Sequence, residues 1–101
     1  MHVSIQTGDH EIEAQAKTIL QFCMAGIDER VDEIVIRIDQ RHDALGGRLH
    51  HCQLSALMDD GGHVEIGETQ HDLVLAITRS ISRATRTIRR RINRDPARRY
   101  A

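Results

Sequence analysis

Between residues 73 and 94 two stripes share one helical period. Leu73, Ile77, Ile81, Ala84, Ile88 and Ile92 recur every three or four residues. Arg79, Arg83, Arg86, Arg90 and Arg94 recur at the same intervals, out of phase with the first set. At 3.6 residues per turn the two sets occupy different sides of one helix. A helix that is apolar on one side and cationic on the other must lay its apolar side on another element. Thr69, followed three residues later by Asp72, is the expected start, in the manner of a capping box. Pro96 is the expected stop, because the residue before a proline disfavours helical geometry.

The upstream segments supply what that helix needs to cover. Residues 2–6 alternate polar and apolar, predicting a short strand with Val3 and Ile5 inward, followed by a turn at Thr7-Gly8-Asp9. Ile12, Ala16, Ile19, Leu20, Cys23, Met24 and Ile27 form a continuous apolar stripe and predict a helix over roughly 12–29. The acids Asp28, Glu29, Asp32 and Glu33 surround its end, where they oppose the helix dipole and are expected in solvent. Residues 33–39 alternate strictly, with Ile34, Ile36 and Ile38 on one face. A polar loop is expected at 40–47. A strand at 48–58 follows, with Cys52, Leu54 and Ala56 inward. Asp59-Asp60-Gly61-Gly62 reads as a hairpin turn, and 63–67 as a short strand carrying Val64 and Ile66.

The order β-α-β-β-β-α predicts an α+β fold, a four-stranded mixed sheet with two helices packed on one face. The first two strands are expected parallel through a right-handed crossover, and the later strands antiparallel. The opposite face, carrying Val35, Arg37, Asp39, Gln53 and Ser55, is compatible with solvent. A chain of 101 residues suits one domain, placed at 1–95, with a basic tail at 96–101. Phe22 and Tyr100 are the only aromatics, so the core must be built from aliphatic side chains.

The net charge of −1 conceals an asymmetry. Residues 1–78 hold fourteen Asp or Glu and five Lys or Arg, a net of −9; residues 79–101 hold nine Arg and one Asp, a net of +8. An anionic partner for the C-terminal segment is implied. The row from Arg79 to Arg94 spans about 22 Å on a helix, the scale on which nucleic-acid phosphates recur. Arg89 and Arg91 flank it, and Arg98 and Arg99 extend it. Arginine pairs phosphate bidentately through its planar fork. The plain alternative is a solvated face whose arginines pair with acids of the first helix or of a partner protein. Acids at the spacing for local pairing are absent from 79–94. The scarcity of aromatics argues against a base-stacking platform for single strands.

Other chemistries find little support. Residues 1–20 contain Asp9, Glu11, Glu13 and Lys17 and no apolar core of a signal peptide, and no run approaches the ~20 apolar residues of a membrane span. Cys23 and Cys52 are too few for a disulfide framework and lie in apolar-periodic segments. They are expected as small core residues in a reducing cytoplasm. His50, His51, Cys52 and His63 come near one another in the hairpin, yet strand alternation puts His51 on the opposite face from His50 and Cys52. No CxxC or HExxH spacing occurs, so no metal is expected. Gly46-Gly47 and Gly61-Gly62 lack the Lys-Ser/Thr of a phosphate loop, and no nucleophile elbow is present. Neither an enzymatic activity nor a cofactor is expected.

Three segments resemble the ribosome hibernation-promoting factor family, also known as sigma-54 modulation or ribosome-associated inhibitor proteins. They are Val3–Ile12 (VSIQTGDHEI), Arg48–Gly62 (RLHHCQLSALMDDGG) with the strand after it, and Gln70–Ile77 (QHDLVLAI) with its basic continuation. The likeness covers about residues 2–94. It implies a double-stranded-RNA-binding-like fold and a cytoplasmic protein that docks on the small ribosomal subunit, contacts ribosomal RNA and silences translation. It resembles the family's short form. The family's basic positions map onto Arg79, Arg83, Arg86, Arg89, Arg90 and Arg94. The other reading from sequence is a diverged non-ribosomal interaction or regulatory module of the same fold, with weak self-association between its acidic body and basic end.

Overall fold

Asp9 opens the first helix. Its carboxylate accepts hydrogen bonds from the backbone N–H groups of Glu11 (2.9 Å) and Ile12 (3.3 Å), two donors that a helix start leaves unpaired. The computed structural model of the chain describes residues 1–94. The element order is β1 (His2–Gln6), α1 (His10–Cys23), a 3₁₀ turn (Asp28–Arg30), β2 (Val31–His42), β3 (Arg48–Met58), β4 (His63–Gln70) and α2 (Leu73–Asn93). The strands form one sheet in the order β1-β2-β3-β4. β1 runs parallel to β2, and the other neighbours are antiparallel. The expected β-α-β-β-β-α mixed sheet is therefore observed. The expected domain end at 95 and the tail at 96–101 lie outside the described residues.

Both helices cover the same face. α1 lies over β1 and against α2, while α2 lies over β3 and β4. Between the layers sit Ala16, Leu20 and Met24 of α1, Ile34, Ile36, Cys52, Leu54, Ala56, Val64 and Ile66 of the sheet, and Ala76, Ile77, Ile81, Ala84 and Ile88 of α2. Each fully buried isoleucine contributes roughly 1.5–3 kcal/mol relative to exposure. The core is aliphatic, as composition demanded. Phe22 stands outside it, 86% exposed. Cys52 is buried and Cys23 lies at the core margin. The Cys52 thiol meets the buried Ser80 hydroxyl at 3.1 Å, and burial pushes its pKa up. The Ser80 hydroxyl donates to the Ile77 carbonyl (2.8 Å), so this one buried polar residue is satisfied.

Several boundaries differ from the sequence expectation. The helix expected over 12–29 ends at Cys23. Gly26 takes φ +88°, a left-handed geometry that breaks the helix. Met24 and Ile27 are buried nonetheless, so the apolar stripe continues through a turn that is not helical. The acids Asp28, Glu29, Asp32 and Glu33 are exposed, as expected. The helix start assigned to Thr69 is corrected to Asp72, whose carboxylate accepts from Leu75 N–H at 2.9 Å. Thr69 belongs to β4, which runs to Gln70 rather than 67. β2 is also longer than 33–39. A register shift between Val31 and Glu33 lets both Val31 and Ile34 face inward. The loop expected at 40–47 thus shrinks to 43–47, because β2 pairs with β3 as far as His42 opposite Arg48.

Candidate nucleic-acid interface

α2 is a helix of 21 residues with Asp72 at its N-terminal cap and Arg90 and Arg91 in its last turn, where cations complement the helix dipole. Packing of Ile77, Ile81, Ala84 and Ile88 on the sheet decides which side looks outward. That side carries Arg79, Arg83, Arg86, Arg90 and Arg94, all exposed. Thr87 is folded onto the helix by donating to the Arg83 carbonyl at 2.9 Å. A shallow hollow of about 360 Å³ lies among Arg79, Ser82, Arg83 and Arg86. A larger groove of about 520 Å³ runs between β4 and the last turns of α2. Val64 and Ile66 line it from the strand, and Thr87, Arg90, Arg91 and Arg94 from the helix.

The arginines are not equivalent. Arg83 turns toward β4, donating to Glu68 (2.6 Å) and to the Gly67 carbonyl (3.0 Å). It thereby covers a backbone acceptor on an edge strand, where an open backbone invites pairing with another chain. Glu68 has a side chain only 12% exposed. Its pKa is lowered by hydrogen bonds from Gln70 and then Arg83, and the charge of Arg79 adds to this. Arg91 leans to the same side. Its guanidinium lies against Gly62, where any side chain would collide with it, and reaches Asp60 at 3.9 Å. Arg89 leans toward α1 and donates to the Ala25 carbonyl at 3.4 Å. Among the described residues, Arg79, Arg86, Arg90 and Arg94 make no ion pair.

Of the six arginines singled out by sequence, five share one face and Arg89 lies beside it. The carboxylates that engage this helix, Glu68 and Asp60, went unrecognised. They are distant in sequence, and helical spacing reveals only partners within the helix. The opposite face of the sheet is polar and internally bonded. Arg37 donates to Gln6, Gln53 and Ser55 donate to Glu65, and His51 meets Thr69 and Gln53. His63 pairs with Glu65 at 3.4 Å. His51 and His63 are thus engaged with neighbouring polar groups. Among the described residues no group of three His, Cys, Asp or Glu is placed to hold a metal ion. No helix among them is long and apolar enough to cross a membrane.

No protein-family model and no curated protein sequence matches the chain. Solved structures do. A ribosomal subunit interface protein from Coxiella burnetii superposes with a TM-score of 0.73 at 8% identity, over 90% of this chain and 97% of that one. The N-terminal domain of Thermus thermophilus Protein Y superposes with a TM-score of 0.62 at 19% identity, over 89% of this chain and 98% of that one. The fold is therefore that of the ribosome hibernation factors which the sequence resembles.

Proposed function

We propose that this protein is a ribosome-associated hibernation factor that restrains translation by holding small-subunit ribosomal RNA against α2. The observation that carries the reading is the outward row of Arg79, Arg86, Arg90 and Arg94, none of which forms an ion pair with a carboxylate among the described residues. Seven arginines lie between 79 and 94, with Glu68 and Asp60 paired to two of them. Like charges so concentrated repel one another, and a polyanion relieves the repulsion while releasing its own counterions. A rigid helix of fixed phosphate contacts suits recognition of RNA by shape and backbone rather than by sequence. The shared fold with a ribosomal subunit interface protein supports the ribosome as the source of that RNA. Arg83 and Arg89, already bonded to the body of the protein, would join the row at its sides.

Co-sedimentation with purified small ribosomal subunits at low and high salt tests this. The informative variant is Arg79→Glu/Arg86→Glu/Arg90→Glu, which leaves the Arg83–Glu68 bridge intact. Salt-sensitive binding by wild type, abolished in the folded variant, is the expected result. Absence of binding by wild type at low salt would overturn it. A non-ribosomal interaction module of the same fold is the second reading. The exposed acids Asp28, Glu29, Asp32 and Glu33 favour it, since they would repel RNA and attract a basic surface such as α2 of another copy.

A further inference from the structure

The sheet has an arm that nothing in its own core requires. β1 pairs with β2 only as far as Gln6 opposite Arg37, and β4 pairs with β3 only from His50 opposite Gln70. β2 and β3 continue together past both, through Arg41 opposite Leu49 and His42 opposite Arg48. The turn that closes them is braced by hydrogen bonds of its own. The Asp43 N–H donates to the Gly47 carbonyl (2.8 Å), and the Gly46 N–H donates to the Asp43 carbonyl (3.0 Å). The Asp43 carboxylate accepts from the N–H groups of Leu45 (2.9 Å) and Gly47 (2.7 Å). Gly46 takes φ +82°, and a Cβ at Gly47 would meet the Asp43 carboxylate at 2.6 Å, so both glycines are set by this turn. At its tip Leu45 is 97% exposed. Four hydrogen bonds thus hold in place a leucine that buries nothing.

We propose that this arm is a second RNA-contacting element, with Leu45 as an apolar wedge, continuing the α2 surface beyond the helix's N-terminus. The inference rests on the RNA-binding reading of α2. Strand alternation from the buried Ile34, Ile36 and Cys52, Leu54 places His42 and Arg48 on the side of the sheet that carries the helices. The arm is tied to the start of α2. His71, the residue before the Asp72 cap, meets the Arg48 carbonyl at 3.0 Å and the Asp43 carboxylate at 4.0 Å. Arg79 lies six residues into α2, about 9 Å along its axis. Arg48 of the arm and Arg79 of α2 thus stand on either side of the helix's N-terminal cap, where the Asp72 carboxylate is held by the Leu75 N–H. The carboxylate of Asp43 is turned into its own loop, and Asp39 projects from the opposite face of the sheet, level with His51. A docking surface for protein would offer a contiguous apolar patch. A lone leucine flanked by Arg48 and His42 fits a nucleic-acid groove, where apolar side chains part stacked bases.

Binding of the full chain to small ribosomal subunits across a salt series tests the arm. Leu45→Ser is expected to weaken binding about fivefold without altering the salt dependence, because it removes no charge. Arg48→Ala is expected to lower the slope of log affinity against log salt by about 1. Both positions are exposed, and unchanged thermal unfolding would establish that each variant folds. If both bind like wild type while Arg79→Glu/Arg86→Glu/Arg90→Glu does not, the arm proposal is overturned and the α2 reading stands. If wild type binds no RNA, both fall. A photoreactive side chain at position 45 is expected to crosslink to ribosomal RNA; crosslinking to protein alone would overturn RNA as the arm's partner.

Discussion

Glu65 shows how a single exposed side chain is tuned by the polar face of the sheet. Its carboxylate accepts from the Ser55 hydroxyl (2.6 Å) and the Gln53 amide (2.9 Å), and these bonds hold its pKa below the ordinary glutamate value. A carboxylate lowered in the folded state stabilises the fold above its unfolded pKa. That contribution is lost as pH falls through the lowered value. Thermal stability is therefore expected to decline on acidification from about pH 4.3 downward. Ser55→Ala should shrink that decline by returning Glu65 toward its ordinary value, as melting followed by circular dichroism from neutral to acid pH would show. An acid-side decline identical to wild type would refute this account of Glu65. None of these partners was legible from sequence. Strand alternation placed Ser55 and Gln53 on the polar face, but only the β3–β4 register sets Ser55 opposite Glu65.

At the scale of elements, the sequence was most legible where periodicity and burial agree. α2 follows its stripe from Leu73 to Asn93, and β3 keeps the expected limits of 48 and 58. It was least legible where an apolar pattern outlives its element or a strand outlives its apolar pattern. The stripe of α1 runs on to Met24 and Ile27 after the helix itself has ended at Cys23. β4 continues past Ile66 because its inner position becomes Glu68, which pairs with Arg83 rather than with the core. The arginine row itself was readable from spacing alone, whereas its partition into paired and unpaired members was not. Gly26 supplies a test at this scale. A Cβ there would meet nothing within 4 Å, so Gly26→Ala acts only through the φ of +88°. A cost of about 1–2 kcal/mol is expected in urea unfolding. Gly8→Ala, also in open space and without a positive φ, should change stability by under ~0.5 kcal/mol. Equal effects of the two substitutions would contradict backbone strain as the reason α1 stops.

For the whole molecule, the decisive property is the separation of charge. The fold sets α2 on the outside of the helical layer, so its arginines face away from the acidic remainder of the chain rather than cancelling it. The two proposed readings put different partners on this basic face, RNA in one and the acids of another copy in the other. Under the ribosomal reading the protein alone is expected to sediment as a monomer at low salt. Concentration-dependent growth, reversed by salt and by Asp28→Lys/Glu29→Lys, would instead favour the interaction-module reading, since head-to-tail contacts of this kind build rings or filaments rather than a two-fold dimer. The aliphatic core has a further, optical consequence. The chain has no tryptophan, and among the described residues the core holds no side chain excited near 280 nm. Loss of packing in this core therefore gives no indole signal, and its unfolding is read by circular dichroism or calorimetry instead.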